Sequence, residues 1–241
     1  LLLNLDHEFF RKKIWREQKI NLPKHYAVSQ MFLDQPIDKI LPKLKKILKN
    51  EDLQLEAVRQ VPVNKKILGT IALDCLPKIY QLFVSATKDD VSEEEFECSL
   101  LQARKFFEEL HNNDELLYVC SMSGRTIVYK GLMLPDAIDE FYIDLKQKDF
   151  TASICVFHQR FSTNTSPRWH LAQPFRLLAH NGEINAIRGN RNWAKARKSI
   201  FKTPLLPKLE KFKHIVNEKG SDSSTLDNMI EILVQGGLNI F

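Results

Sequence analysis

The chain has 241 residues, of which 44% are hydrophobic and 27% are charged, so it can bury a sizeable core and is not of the disordered class. Its net charge of +5, from 35 basic and 30 acidic residues, is a mild excess that does not indicate a nucleic-acid partner. The four cysteines form no CxxC pair or zinc pattern, and no stretch approaches the ~20 apolar residues of a membrane span, so we expect a cytoplasmic protein with reduced, mostly buried thiols, no metal site and no membrane partner.

The first half of the chain predicts strands and helices in alternation. Ser92 followed by Glu95 has the spacing of a capping box, and the apolar positions after it predict a long helix that ends at residue 110. Residues 1–3 resemble the end of a strand. Alternating apolar positions predict further strands at 26–32, 56–61 and 78–84, and helices are predicted at 6–16 and 39–49.

The lysine-rich run at 39–49 is the densest basic segment. Its apolar residues recur at helical spacing, which favours an amphipathic helix with its lysines in water. A helix lying on a membrane surface is the alternative. Pro42 weakens that alternative, because proline removes an amide donor and kinks a helix unless it lies in the first turn.

The second half predicts a hairpin of two short strands, 116–121 and 126–130, followed by a helical segment at 135–142. Apolar runs at 152–157 and 177–179 predict two more strands, and helices are predicted at 184–197 and 226–234. The order of elements is typical of an α+β domain. Because no repeat or linker interrupts it, we expect no internal domain boundary.

Three polar motifs follow these predicted elements. HQRFSTNT begins at His158 and carries Arg160, HNGEIN begins at His180 and carries Asn181, and GSDS carries Asp222 at a predicted helix start. An arginine, an amide donor beside a glycine and a carboxylate together complement the carboxylate, the developing oxyanion and the ammonium group of an α-amino acid amide. The motifs therefore predict a glutamine pocket.

These motifs, with RFSTNTSPRW and GNRNW around them, resemble the glutaminase region of glutamate synthase large subunits, most closely the bacterial NADPH-dependent type. That region is a class-II glutamine amidotransferase, and weaker resemblance covers nearly the whole chain. The resemblance implies an N-terminal-nucleophile (Ntn) hydrolase-like four-layer αββα sandwich, incomplete at both ends. Residues 1–241 would be a partial glutamine amidotransferase type-2 domain.

The nucleophile of such domains is a cysteine at the mature N-terminus, whose own α-amino group acts as the base. Residue 1 here is Leu1, and the four cysteines are internal. We therefore expect this polypeptide by itself to lack glutaminase activity. We also expect Cys155, in an apolar run, to be buried and unreactive.

The resemblance assigns roles to individual residues. Arg160 would bind the substrate α-carboxylate and Asp222 its ammonium group. Asn181 and Gly182 would form the oxyanion hole. The alternatives are a structural salt bridge for Arg160, a plain turn for the Asn-Gly pair and a helix N-cap for Asp222.

The resemblance also suggests that Thr163 and Asn164 help to fix the substrate carboxylate. We interpret His158 and His180 as packing or loop-supporting residues rather than general bases. The aromatic side chains of Trp169, Trp193 and Phe175 are expected to be core or loop anchors.

By resemblance, glutamine hydrolysis here supplies ammonia that is channelled to 2-oxoglutarate for reductive glutamate synthesis. No cofactor is expected in this segment. FMN and a 3Fe-4S cluster would lie in the remaining synthase domains of the same chain, and FAD and NADPH on a glutamate synthase small subunit. The choice among NADPH, NADH and ferredoxin stays open. A glutamine-binding or scaffold module without the nucleophile is the alternative, and another class-II amidotransferase is a third possibility.

Overall fold

The computed structural model describes residues 1–110, 117–161, 166–218 and 220–239. The strands are β1 (Leu2–Asn4), β2 (Ala27–Leu33), β3 (Leu53–Gln60), β4 (Lys78–Ala86), β5 (Leu117–Ser123), β6 (Thr126–Val128) and β7 (Cys155–Val156). The helices are α1 (His7–Gln18), α2 (Leu41–Asn50), α3 (Thr70–Asp74), α4 (Glu93–Glu109), α5 (Ile138–Phe141), α6 (Ile187–Arg197) and α7 (Asp222–Gln235). Mixed helices and antiparallel sheets confirm an α+β architecture.

The strands form two antiparallel sheets. The larger sheet has the order β3-β4-β2-β5, and the smaller has the order β6-β1-β7. Every side chain of β2 is buried. Because neighbouring side chains on a strand point to opposite faces, β2 contributes to the core on both sides of the larger sheet.

Helices α2 and α4 pack on one face of the larger sheet, where Leu44, Leu48 and Phe107 are fully buried. The other face is covered by α1 and the smaller sheet, around Phe10 and Phe83. A third apolar cluster joins the outer side of α4 to α6, α7 and the segment 206–216. Helix α4 therefore lies between the larger sheet and the elements at the C-terminal end of the described chain.

Several sequence predictions are confirmed. Ser92 and Glu95 form the predicted capping box at the start of α4. Helix α2 is amphipathic, with Leu44 and Leu48 inward, and Pro42 lies in its first turn, where proline is tolerated. Trp169 and Phe175 are buried anchors, as predicted.

The predicted hairpin is wrong, because β5 and β6 belong to different sheets. Strand β5 pairs with β2, whereas β6 pairs with β1. One hydrogen bond between the two sheets runs from the Val128 N–H of β6 to the Ser121 hydroxyl of β5 over 3.0 Å. A strand pattern with a tight turn predicted the two elements correctly but not their partners.

Two other predicted strands also need correction. Residues 177–179 form no strand, and the strand predicted at 152–157 is reduced to the two residues of β7. The side chains of Ile154 and Phe157 are about 60% exposed, and Cys155 is exposed rather than buried. Trp193, with 62% exposure, is likewise not a core anchor.

The prediction of mostly buried thiols holds for two of the four cysteines. Cys98 and Cys120 are buried, and Cys75 and Cys155 are exposed. Burial raises the pKa of both inner thiols, to about 12 for Cys120.

A buried polar cluster ties α1 to the larger sheet. Arg59 on β3 binds Asp144 (Nη2 to Oδ1, 2.9 Å), Glu17 of α1 (Nε to Oε2, 2.7 Å) and the side-chain oxygen of Gln81 (3.0 Å). The Arg59 and Asp144 side chains are almost completely excluded from water. Each charge therefore depends on the other for the hydrogen bonds that water would otherwise supply.

A second buried cluster joins α4, α7 and the segment before the predicted site. Arg104 of α4 binds Glu108 and, on α7, Glu231. Arg176 also binds both carboxylates, at 3.2 Å and 3.3 Å, and lies 4.0 Å from the carboxylate of Asp227. We call these five residues the inner charge cluster.

Among the residues that the structure describes, no helix is long and apolar enough to cross a bilayer.

Replacing Asp144 with asparagine should destabilise the chain by on the order of 3 kcal/mol, because the buried Arg59 charge loses its main partner. Asp149→Asn is the matched control. Its contact with Arg16 spans 3.6 Å between exposed side chains, so the expected loss is about 0–1 kcal/mol. Urea unfolding of both variants measures the difference, and equal losses would contradict a structural role for Asp144.

Candidate functional site

Arg160 lies four residues after β7, at the edge of a cavity of about 160 Å³. Its side chain is exposed, and it forms no salt bridge with any residue that the structure describes. Its backbone N–H donates to the ring of His158 over 3.3 Å. Among the described residues the guanidinium therefore has no ion-pair partner, which leaves it available to a ligand.

The cavity lies between the Arg160 segment, the chain after β6 and the segment before the Asn-Gly pair. Lys130, Gly131 and Gln173 contribute to its wall. The Lys130 ammonium is buried, donates to the Tyr118 hydroxyl and the His170 carbonyl, and lies over the Phe175 ring. Burial lowers the pKa of Lys130 to about 8.

The Asn181-Gly182 pair lies on a loop, not at the end of a strand. Gln173 binds the backbone of His180 twice. Its side-chain oxygen accepts from the His180 N–H over 2.8 Å, and its side-chain nitrogen donates to the His180 carbonyl over 2.7 Å. The exposed Asn181 side chain has no hydrogen-bond partner among the described residues, so its amide is available to a ligand.

The ring of His180 explains the glycine that follows. Its Nδ1 lies 3.0 Å from the Ser223 hydroxyl, which confirms a loop-supporting role for this histidine. A Cβ on Gly182 would lie 2.5 Å from His180 Nε2. Gly182 is thus required by a close side-chain approach, since its φ is not in the left-handed region.

Asp222 is the first residue of α7, and the N-cap is Ser221, so the N-cap alternative for Asp222 is wrong. One carboxylate oxygen accepts from the Ile184 N–H over 2.7 Å and the other from the Ser223 N–H over 2.6 Å. The oxygen that accepts from the Ser223 N–H also accepts from the Ser223 hydroxyl over 3.3 Å, so it is the oxygen bound to Ile184 that keeps a lone pair for a cationic ligand. Asp222 therefore holds the far end of the loop that carries Asn181.

Helix α6 is fastened to the same region. The Arg191 guanidinium donates to the Gly220 carbonyl over 2.7 Å and to the Thr225 hydroxyl over 2.9 Å. The loop 180–186 is thus bound to α7 at Ser223 and Asp222, and the helix after it is bound at Gly220 and Thr225.

The structure describes the predicted site residues Arg160, Asn181, Gly182 and Asp222. Gln173 lines the cavity of Arg160 and binds the residue before Asn181, and Asp222 binds the same loop, so the structure brings these segments together. Thr163 and Asn164 lie outside the described residues. Sequence reasoning missed Gln173 and Ser223, whose only signal was a polar side chain near a motif.

The environment of His158, two residues before Arg160, favours the neutral form of its ring. Burial lowers the pKa of His158, and nearby His180 acts in the same direction. A neutral His158 ring at neutral pH leaves Arg160 as the cation of this segment, which suits a site that binds a carboxylate.

The model of the family described as glutamine amidotransferases class-II matches residues 1–241. This chain belongs to the class-II glutamine amidotransferases. It is 40% identical over 244 residues to the NADPH glutamate synthase large chain of Bacillus subtilis. That alignment covers 98% of this chain and 16% of the relative. It is 38% identical over 248 residues to the ferredoxin-dependent glutamate synthase 1 of Arabidopsis thaliana, covering 98% and 15%.

The NADH glutamate synthase of Saccharomyces cerevisiae is 36% identical over 251 residues, covering 98% of this chain and 12% of the relative. The chain thus spans less than a fifth of the length of these relatives. Within the described part of this amidotransferase, no group of three or more His, Cys, Asp or Glu is arranged to bind a metal ion.

Replacing Gly182 with alanine should destabilise this amidotransferase by about 1–3 kcal/mol, because the new methyl group overlaps the His180 ring. Gly189→Ala is the matched control. Gly189 lies in α6 with open space around it, so alanine there should stabilise by about 0.5–1 kcal/mol. Denaturant unfolding gives both values. A neutral Gly182→Ala would mean that the His180 ring moves away freely.

Proposed function

We propose that this chain is the glutaminase domain of a glutamate synthase, hydrolysing L-glutamine to glutamate and ammonia. The observation that carries the proposal is the convergence of the Arg160, Asn181-Gly182 and Asp222 segments, with the Arg160 and Asn181 side chains unpaired within the described residues. Similarity to three kinds of glutamate synthase across 98% of the chain supports the assignment of the larger protein.

In the proposed reaction, a thiolate attacks the side-chain amide of glutamine, and the carbonyl oxygen becomes an oxyanion. The Asn181 amide and the Gly182 backbone N–H donate to that oxygen where its charge develops. Ammonia then leaves as the amine takes up a proton, and water hydrolyses the thioester to glutamate. The thiol is that of the mature N-terminal cysteine implied by the family resemblance, not of a cysteine in this chain.

Arg160 and Asp222 orient the substrate in this proposal. The guanidinium offers two parallel donors to the α-carboxylate, and the carboxylate of Asp222 accepts from the α-ammonium. Thr163 and Asn164 are proposed to assist Arg160. Because both charged groups of glutamine are engaged, the site would discriminate against amides that lack an α-amino acid head.

We also propose the four-layer αββα arrangement of Ntn hydrolases for the complete domain. The larger sheet has α2 and α4 on one face and the smaller sheet on the side of its other face, which supports two stacked sheets between helices. The fourth layer is inferred from the family.

The whole protein, on this proposal, is cytoplasmic and passes ammonia to 2-oxoglutarate at an FMN site in its remaining domains. A 3Fe-4S cluster there and a small subunit with FAD and NADPH would supply electrons. The relatives include NADPH-, NADH- and ferredoxin-dependent enzymes. Among these, the proposal takes the bacterial NADPH type that the sequence motifs suggested.

Asn181→Ala in the full-length protein should lower kcat for glutamine hydrolysis by about 10²–10³-fold and change KM little, because the oxyanion loses one donor. Glutamate release from glutamine measures this. Ammonia-dependent glutamate formation bypasses the site and should be unchanged. Wild-type turnover in the variant would remove Asn181 from the oxyanion hole.

Arg160→Lys should raise KM for glutamine although the charge is kept, since an ammonium cannot make the two-pronged contact with a carboxylate. The expected increase is about tenfold or more, which corresponds to roughly 1.4 kcal/mol. Steady-state kinetics with glutamine are sufficient. An unchanged KM would assign Arg160 a role away from the substrate.

A further inference from the structure

We infer that Gln173 is a positioning residue for the glutaminase reaction, acting by fixing the direction of the Asn181 side chain. The inference rests on the proposed function of Asn181, and it concerns a residue that contributes no group of its own to the proposed chemistry. The observation behind it is the pair of hydrogen bonds between the Gln173 side chain and the His180 backbone.

The hydrogen bond from the Gln173 side-chain nitrogen to the His180 carbonyl acts directly on Asn181. The carbonyl of His180 belongs to the planar peptide unit that also contains the Asn181 nitrogen and Cα. A donor 2.7 Å from that carbonyl therefore sets the plane from which the Asn181 side chain projects. The first bond, to the His180 N–H, fixes the preceding peptide unit, so two consecutive units are held by one side chain.

Gln173 can act in this way because its own backbone is anchored. Phe175, two residues later, is buried, and its N–H donates to the Leu178 carbonyl over 2.8 Å. Arg176 belongs to the inner charge cluster, and the Leu177 N–H donates to the buried carboxylate of Asp227 over 2.8 Å. The glutamine side chain thus extends from a rigid segment to an exposed loop.

Two other restraints on the loop act elsewhere. Ser223 contacts the ring of His180, and Asp222 binds the N–H of Ile184 on the far side of Asn181. Neither contacts the peptide unit that precedes Asn181. Without Gln173 the loop keeps these contacts, but the peptide unit before Asn181 loses the hydrogen bond that orients it.

Gln173→Met in the full-length protein tests the inference, because methionine has a similar length and no hydrogen bonds. We expect kcat for glutamine hydrolysis to fall about 10- to 100-fold, the range in which a misplaced catalytic group lies, with KM within about threefold of wild type. Ammonia-dependent glutamate formation should be unchanged.

Gln18→Met is the matched control. Gln18 is also half-buried, and its side-chain nitrogen donates to the Val58 carbonyl over 2.8 Å, far along the chain from the loop. A purely structural loss at either glutamine would lower the unfolding temperature and leave kcat of the folded enzyme unchanged. Only Gln173→Met should lower kcat.

The double variant Asn181→Ala, Gln173→Met separates positioning from an independent effect. If Gln173 acts through Asn181, the double variant should have the same kcat as Asn181→Ala, because the positioned group is already gone. Multiplying losses would overturn the inference.

Gln173→Glu adds a pH profile. The glutamate keeps an acceptor for the His180 N–H, but when ionised it turns a second oxygen towards the His180 carbonyl. Its kcat relative to wild type should rise as the pH is lowered from 8 towards 5.5, since the protonated carboxyl can donate to that carbonyl. Taking the ratio at each pH cancels the effects of groups that titrate alike in both enzymes. A flat ratio would contradict the inference, and this variant decides the matter if Gln173→Met does not fold.

The outcomes for Asn181 and Gln173 are distinguishable. Failure of the wild-type full-length protein to hydrolyse glutamine would overturn the proposed function. A normal kcat in both Asn181→Ala and Gln173→Met would remove Asn181 from the oxyanion hole, and the positioning role with it. A low kcat in Asn181→Ala with a normal kcat in Gln173→Met would overturn only the positioning role.

Discussion

The inner charge cluster is the constraint on which the candidate site depends. Arg104 and Arg176 share the carboxylates of Glu108 and Glu231, so helices α4 and α7 and the segment 173–178 meet at one buried point. Helix α4 is fixed on the larger sheet, and α7 begins at Asp222. The loop that carries Asn181 is bound to Gln173 of this segment and to the first turn of α7.

Directionality matters more here than the strength of the ion pairs. Buried ion pairs are costly to desolvate and often contribute little net stability. A guanidinium binds carboxylates only in particular orientations, however, and an apolar contact does not fix rotation in this way. The inner charge cluster therefore fixes the orientation of Arg176 and the residues next to it, and with it the direction of the Gln173 side chain.

Local patterns in the sequence predicted the elements that local physics determines. The Ser92–Glu95 capping box and the apolar spacing of α2 depend only on residues of their own helices. They can therefore be recognised in the sequence without knowing what each helix packs against. The strand predicted at 177–179 was wrong, because a short apolar run does not distinguish a strand from an irregular segment. In the structure, the chain bends at residues 176–177 beside the inner charge cluster, and the Phe175 N–H donates to the Leu178 carbonyl across the bend.

The site shows the same division. The roles of Arg160, Asn181, Gly182 and Asp222 stay predictions from the motifs, whose residue types complement an α-amino acid amide. The reason for Gly182 was not predicted, since it depends on a histidine ring fixed by Ser223 on a distant helix. The partners of β5 and β6 were likewise missed, because the choice of a distant partner strand leaves no periodic signal in either strand.

Strand β1 has a consequence for how the polypeptide folds as it is synthesised. It is the middle strand of the smaller sheet, and its Asn4 side chain accepts from the Ile154 N–H, 150 residues later. At a translation rate of about 5–20 residues per second, roughly 8–30 s pass before β7 emerges to pair with it. The apolar β1 thus leaves the ribosome early and completes its sheet late, so it is a segment for which a chaperone would compete.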